Sequence, residues 1–184
     1  MELGMKNIYT RKIVLLSSIA VLLVIYILQI SFLGRSKVKT VYTNEEIDSV
    51  EITKNGGHIL SLKKENEKWL VENFPAMENR ANRIVNSVNE IKILSTVSYD
   101  LSDLERYGLT DENAVKVVAS SGGKILRTLY VGKDSVAGSQ CYVRLDDEKK
   151  IYLAQGSLKS TFEVSVDEIK EKPKTENSQE AEAE

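Results

Sequence analysis

The hydrophobic pattern divides the chain into an unbroken apolar run near the N-terminus and a longer region in which apolar and polar residues alternate. Residues 13–33 are 21 consecutive positions without a charged side chain. An α-helix rises about 1.5 Å per residue, so this run covers about 30 Å, the thickness of the hydrocarbon core of a bilayer. A helix satisfies its own backbone hydrogen bonds in lipid. The run therefore predicts a transmembrane helix that contacts the lipid bilayer through residues 13–33.

A cleaved secretory signal is the alternative interpretation of this run. The apolar region of a signal peptide spans about 7–15 residues and is followed by small residues at a cleavage site. Here the run is longer, and its exit reads Ser31-Phe32-Leu33-Gly34-Arg35, which does not resemble such a site. An uncleaved anchor is favoured.

The orientation of the anchor does not follow from charge. Three basic residues precede the run and three follow it: Lys6, Arg11 and Lys12 before, and Arg35, Lys37 and Lys39 after. Long domains, however, translocate largely regardless of charge. We therefore expect a single-pass protein of the inner or plasma membrane, with a cytoplasmic N-terminus at residues 1–12 and an extracytoplasmic C-terminal domain.

The remainder of the chain has three predicted parts. Residues 34–46 are polar and predict an extended stalk, and residues 47–166 contain the apolar positions needed for a folded domain. Residues 167–184 are acidic and poor in apolar residues, and their last six read Gln-Glu-Ala-Glu-Ala-Glu. Such a composition cannot form a core, so a disordered acidic tail is predicted.

Within residues 47–166 the apolar spacing is mostly that of strands. Asn55, Gly56 and Gly57 separate two alternating segments and accept positive φ, which predicts a hairpin. From Glu78 to about Ile93 the spacing becomes helical. Further strands are predicted at 68–71, 94–99, 114–119, 125–131, 141–145 and 150–153, with short helical segments near 102–107 and 157–162. The predicted fold class is α+β, a mostly antiparallel sheet with one main covering helix.

A faint internal similarity relates the segment 50–60 to the segment 115–126, since each has the pattern of a strand, a glycine turn and a strand. Two hairpins with ordinary turn residues produce such a similarity by chance. A duplicated unit and a coincidence both remain open.

The order of short motifs resembles the bacterial domain-of-unknown-function family 4340 over roughly residues 45–165. Trp69-Leu70-Val71 is followed by Pro75 and a helix through residues 81–85, and the most specific pieces are Tyr107-Gly108-Leu109 and Leu129-Tyr130-Val131-Gly132. The resemblance implies a membrane-anchored, extracytoplasmic protein. It also implies an association with ABC transport systems of the gliding-motility type, and it brings no active-site residue.

Composition excludes several functional classes. The chain has 25 Lys and Arg against 27 Asp and Glu, a net charge of -2, which disfavours nucleic-acid binding. One Cys and one His exclude an internal disulfide, a multi-thiolate metal site and a multi-imidazole zinc site. Cys141 is expected to be a buried apolar residue and His58 a surface strand residue. No catalytic residue, metal site or cofactor is therefore predicted.

Four residues are candidates for docking a protein partner: Trp69, Tyr107, Gly108 and Leu109. Each also has a structural interpretation. Trp69 suits the core of a small sheet, and Gly108 suits a left-handed helix C-terminus with Tyr107 and Leu109 packed inward.

The predicted function is a non-enzymatic, membrane-tethered module that binds a protein of the envelope or of an ABC-type transporter. The alternative is an envelope enzyme or a small-ligand receptor, which a pocket lined by ionisable groups would favour.

Overall fold

The computed structural model describes residues 2–33 and 38–172. The chain divides into a helical unit, Met1–Lys37, and a sheet domain, Val38–Glu184. Helix α1 spans Glu2–Leu33, and its segment Lys12–Gln29 is long and apolar enough to cross a membrane, with none of it buried. These properties make α1 a candidate membrane anchor, and they are shared by signal sequences near an N-terminus.

Over residues 38–172 the sheet domain contains ten antiparallel strands in the order β1-β6-β10-β9-β8-β7-β2-β3-β4-β5. The strands are β1 (Lys39–Tyr42), β2 (Ser49–Lys54), β3 (Gly57–Glu65), β4 (Lys68–Val71), β5 (Phe74–Pro75), β6 (Glu90–Ser98), β7 (Val115–Ser121), β8 (Lys124–Asp134), β9 (Gln140–Leu145) and β10 (Ile151–Gln155). The helices are α2 (Glu78–Asn89), α3 (Leu104–Tyr107), α4 (Leu158–Phe162) and α5 (Val166–Ile169). The predicted α+β class is confirmed.

The main core lies between one face of the sheet and helices α2, α4 and α5. α2 turns Ala81, Ile84 and Val88 inward, and its helical spacing places them on one stripe. The chain has a single tryptophan, Trp69, which is 8% exposed in this core. Its emission therefore reports on whether the domain is folded.

The two glycine hairpins lie side by side at the centre of the sheet. β2 and β7 are paired antiparallel through Ile52 and Val117, the equivalent positions of the two similar segments. From this pair each half of the domain extends outward by three more strands, β3-β4-β5 on one side and β8-β9-β10 on the other. This arrangement favours a duplicated unit.

The segment that follows each half crosses to the outer edge of the other half. After α2, strand β6 crosses over and pairs with β10. After α5, Lys170 forms a bridge with Ala76, next to β5. The N–H of Glu171 donates to the carbonyl of Pro75 at 2.8 Å, and the N–H of Met77 donates to the carbonyl of Ile169 at 2.8 Å. The two halves are interlocked.

The predicted stalk at 34–46 is wrong from Lys39 onward. Residues 39–42 form edge strand β1, in which Val41 pairs with Ile91 of β6. The sequence offers only a short alternation there, and the strand depends on pairing with a distant segment. Residues 34–37 lie outside the described residues.

The predicted disordered tail at 167–184 is wrong for its first six residues. Ile169 is 1% exposed in the core, and its neighbours pair with residues 75–77. A single apolar residue is a weak sequence signal, and the pairing with residues 75–77 is made by backbone atoms, which the sequence pattern does not report. Residues 173–184 lie outside the described residues.

The helix predicted to reach about Ile93 ends at Asn89. Ile91 and Ile93 are both buried, 1% and 7% exposed, but as alternate residues of β6. Ile91 fits a helical stripe that continues from Val88, so the spacing alone could not place this boundary.

Candidate functional site

The face of the sheet opposite the main core presents aromatic and basic side chains on β7, β8 and β9. Val117, Leu129 and Val143 are buried in the main core. Side chains alternate along a strand, so Lys116, Tyr130 and Arg144 point to the other face. These three are direct cross-strand neighbours. The guanidinium carbon of Arg144 lies 3.8 Å from the centre of the Tyr130 ring, and Lys116 Nζ lies 5.8 Å from it.

A pair of aromatic rings lies on the same face, where α3 meets β9. The Tyr107 and Tyr142 rings have their centres 4.8 Å apart at an angle of 57°. The guanidinium carbon of Arg106 lies 5.7 Å from the centre of the Tyr107 ring. Arg106 is exposed and the two tyrosines are half-buried. We call Arg106, Tyr107 and Tyr142 the docking patch.

Two glycines hold α3 close to the sheet. Gly108 ends α3 in the left-handed conformation, with φ 67°, and its N–H donates to the carbonyl of Glu105 at 3.1 Å. On β8, a Cβ at Gly132 would lie 2.2 Å from the carbonyl oxygen of Tyr107 and 3.0 Å from Leu109 Cγ. The motifs Tyr107-Gly108-Leu109 and Leu129-Tyr130-Val131-Gly132 are therefore in direct contact. Their packing positions the docking patch.

The four predicted docking residues have different positions in the structure. Trp69 Nε1 donates to Asn82 Oδ1 at 3.1 Å within the core, and Leu109 is 1% exposed. Burial matches the structural interpretations of Trp69 and Leu109, and the left-handed conformation matches that of Gly108. Tyr107 keeps part of its ring at the surface, and its docking role stays a prediction.

Sequence reasoning missed Tyr142. Alternation along β9 places either Cys141 or Tyr142 inside, and the sequence does not say which. The structure buries Cys141 at 0% exposure. The only sequence signal for Tyr142 was thus the expectation that the thiol is buried.

Cys141 and His58 do not form a nucleophile and base pair. Burial raises the pKa of the Cys141 thiol to about 11, so it is protonated at neutral pH. His58 is exposed on β3, where its Nε2 lies 2.7 Å from Glu72 Oε1. Among residues that the structure describes, no three His, Cys, Asp or Glu side chains form a group suited to a metal ion.

His58 instead belongs to a polar cluster at the β4–β5 turn. Glu72 and Asn73 both have positive φ there, 47° and 68°. Glu72 Oε1 also accepts the backbone N–H of Ser61 at 2.6 Å. The hydrogen bond with His58, followed by that from Ser61, lowers the pKa of Glu72 below its usual range.

Glu72→Gln is expected to destabilise the domain at neutral pH by about 1 kcal/mol, the usual value of a hydrogen bond to a partly exposed charged group. Because the folded-state pKa of Glu72 is lowered, its contribution is full above the ordinary glutamate value of about 4.3 and is lost as the pH falls through the lowered pKa. Urea denaturation from pH 7 to pH 3 should show the two proteins converging in acid.

Glu51→Gln is the matched control, since Glu51 lies 4.0 Å from the other ring nitrogen of His58 and is 59% exposed. It should leave the pH profile nearly unchanged. A constant difference between Glu72→Gln and the unmodified protein down to pH 3 would contradict the assigned role of the carboxylate.

The region that contains the docking patch matches a known protein family. The family model described as "Domain of unknown function (DUF4340)" matches residues 69–181, more than half of the chain. No curated protein and no solved structure matches the chain. The matched region begins at Trp69 in β4 and includes α3, the two glycines that position it, and the docking patch. The chain therefore belongs to the domain-of-unknown-function family DUF4340.

Proposed function

We propose that this protein is a membrane-anchored, extracytoplasmic module without enzymatic activity, which binds another envelope protein through the docking patch. The observation that carries the proposal is the pair of tyrosines beside an exposed arginine, on a sheet face that α2 and α4 do not cover. Tyr and Arg, together with Trp, are enriched at the energetic centres of protein interfaces.

The anchor part of the proposal is supported by α1. Its uncharged run at 13–33 exceeds the apolar region of a signal peptide, and the residues that follow lack a small-residue cleavage site. Long domains are exported largely regardless of their flanking charges, so the equal number of basic residues on the two sides of the run does not oppose an exported C-terminal domain.

The non-enzymatic part is supported by the chemistry of the candidate catalytic groups. The Cys141 thiol is buried with a raised pKa, and the imidazole of His58 is engaged by Glu72 in a surface turn. Neither arrangement resembles an activated nucleophile, which requires an adjacent base and access to substrate.

The resemblance to family members associated with gliding-motility-type ABC systems makes a transporter subunit the first partner to test. The full-length protein should carry a photo-crosslinking amino acid at position 142, and at position 99 in a matched control. Tyr99 is 76% exposed and lies outside the docking patch.

We expect a discrete heavier product from position 142 that contains a transporter subunit, that is lost with Arg106→Ala, and that does not form from position 99. Equal products from both positions, or no product from position 142, would contradict the proposed patch. Alkaline extraction of membranes and protease treatment of spheroplasts test the anchor and its orientation separately. A freely soluble domain would contradict the first, and full protection of the domain in intact spheroplasts would contradict the second.

A further inference from the structure

A groove of about 400 Å³ opens on the sheet beside the turn between β2 and β3. Ligand pockets have volumes of about 300–1,000 Å³, so the groove is large enough for a small molecule. The side chains and turn that line it come from the centre of the sheet and from the segment before β7: Thr53, Asn55, Gly56, Asp111, Lys116 and Tyr130.

The walls of this groove are fixed by the fold. Lys116 and Tyr130 are cross-strand neighbours on β7 and β8. Asn55 is held at φ 51° in the hairpin turn, and the N–H of Ala114 donates to the carbonyl of Thr110 at 2.8 Å in the segment that carries Asp111. A ligand would therefore enter a largely pre-formed site.

The charges that line the groove are balanced. Lys54, also in the lining, has its Nζ 2.6 Å from Glu163 Oε1, so its charge is matched within the protein. Lys116 and Asp111 carry opposite charges, so the side chains that line the groove have no net charge. A groove without net charge has no preference for a phosphate, a polyanion or a metal cation.

The remaining chemistry consists of hydrogen-bonding groups around one aromatic face. Thr53 supplies a hydroxyl, Asn55 an amide and Asp111 a carboxylate, which together donate to and accept from ligand hydroxyls. Arg144 covers the Tyr130 ring from the β9 side at 3.8 Å. On the β7 side Lys116 Nζ lies over the ring at the longer distance of 5.8 Å. Lys116 is exposed, so a ligand would reach this face of Tyr130 by displacing a flexible lysine side chain.

A sugar ring combines the features that this lining would bind. Its rim carries hydroxyl groups, which suit an amide and a carboxylate, and one of its faces presents C–H groups, which pack on an aromatic ring. We propose that the groove binds a saccharide, with Tyr130 as the platform for the sugar ring and with Asn55 and Asp111 as partners of its hydroxyls. The proposal does not depend on the docking patch, because none of the three patch residues lines the groove.

The test uses the full-length protein in nanodiscs and three probes: chitotetraose, maltotetraose and purified peptidoglycan sacculi. Calorimetry measures the soluble tetrasaccharides, and co-sedimentation measures the sacculi, so the two arms distinguish a free oligosaccharide from a cell-wall polymer. We expect saturable binding of at least one probe, weakened at least about tenfold by Tyr130→Ala, since Tyr130 supplies the aromatic surface of the lining.

Asp111→Asn is the second variant, because Asp111 is exposed and its replacement leaves the Tyr130–Arg144 contact intact. It should weaken binding while the Trp69 emission shows a folded domain. Tyr99→Ala, a matched exposed tyrosine, should bind as the unmodified protein does. The absence of binding to all three probes, or binding that neither Tyr130→Ala nor Asp111→Asn reduces, would overturn the proposal.

Discussion

Gly132→Ala is expected to lower the free energy of unfolding of the domain by about 3 kcal/mol or more, which is at the upper end for overpacking. The added methyl carbon would lie 2.2 Å from the carbonyl oxygen of Tyr107. That oxygen belongs to the backbone of α3, which cannot rotate away as a flexible side chain can. The helix end must move away from β8, and the docking patch must move with it.

Urea denaturation of the full-length protein, followed by Trp69 fluorescence, measures this effect. Gly57→Ala is the matched control, because a Cβ at Gly57 would lie 3.3 Å from the nearest atom, the carbonyl oxygen of Lys54. The control should change the free energy of unfolding by less than about 1 kcal/mol. Similar values for the two variants would show that α3 is free to move from the sheet.

Arg127→Met is expected to destabilise the domain by about 3 kcal/mol or more, because it removes the guanidinium donors from four buried or partly buried carbonyl oxygens. Arg127 is 4% exposed on the core side of β8. Its guanidinium donates to four carbonyls, two at the end of α2 and two in β1: Val88 at 2.8 Å, Asn89 at 3.1 Å, Val41 at 3.3 Å and Tyr42 at 2.8 Å.

The positive charge of Arg127 also lies at the C-terminal end of α2, where it interacts favourably with the negative end of the helix dipole. Burial lowers the pKa of Arg127, but an arginine remains charged at neutral pH. The stability of Arg127→Lys should therefore lie between that of Arg127→Met and that of the unmodified protein. A lysine keeps the positive charge but lacks the several planar N–H donors of the guanidinium group. Urea midpoints from Trp69 emission measure the order of the three proteins.

Arg83→Met is the control for loss of an arginine at the surface of α2, where Arg83 is exposed. Its effect should stay within about 0.5 kcal/mol. An Arg127→Met protein as stable as this control would mean that water satisfies the four carbonyls and that Arg127 does not hold β1 to α2.

Local sequence patterns predicted the parts of the fold that depend on local interactions. The Asn55-Gly56 hairpin turn needs only residues that accept positive φ, and the stripe of Ala81, Ile84 and Val88 needs only helical spacing. Arg127 shows why the rest could not be predicted. A charged residue at an inward strand position breaks the alternation, and its partners lie 38 to 86 residues away in the chain.

The docking patch also depends on contacts between residues that are distant in the chain, which the sequence pattern could not predict. Tyr107 and Gly108 were singled out because a glycine after a short helix is a local signal. Tyr142 and Gly132 belong to the patch and its support only because β8 and β9 lie under α3, and no spacing in the sequence reports that contact. The two motifs of the family resemblance contained both sides of the contact without indicating that they touch.

The crossing of β6 and residues 169–171 has a consequence for any attempt to cut the protein into smaller pieces. A fragment that ends after α4 would lack residues 169–171, which pair with residues 75–77 beside β5. A fragment that starts at residue 47 would lack β1 and would leave the backbone amides of β6 at that edge unpaired. Either piece invites edge-to-edge aggregation, so the shortest well-behaved recombinant form should run from residue 38 to at least residue 172.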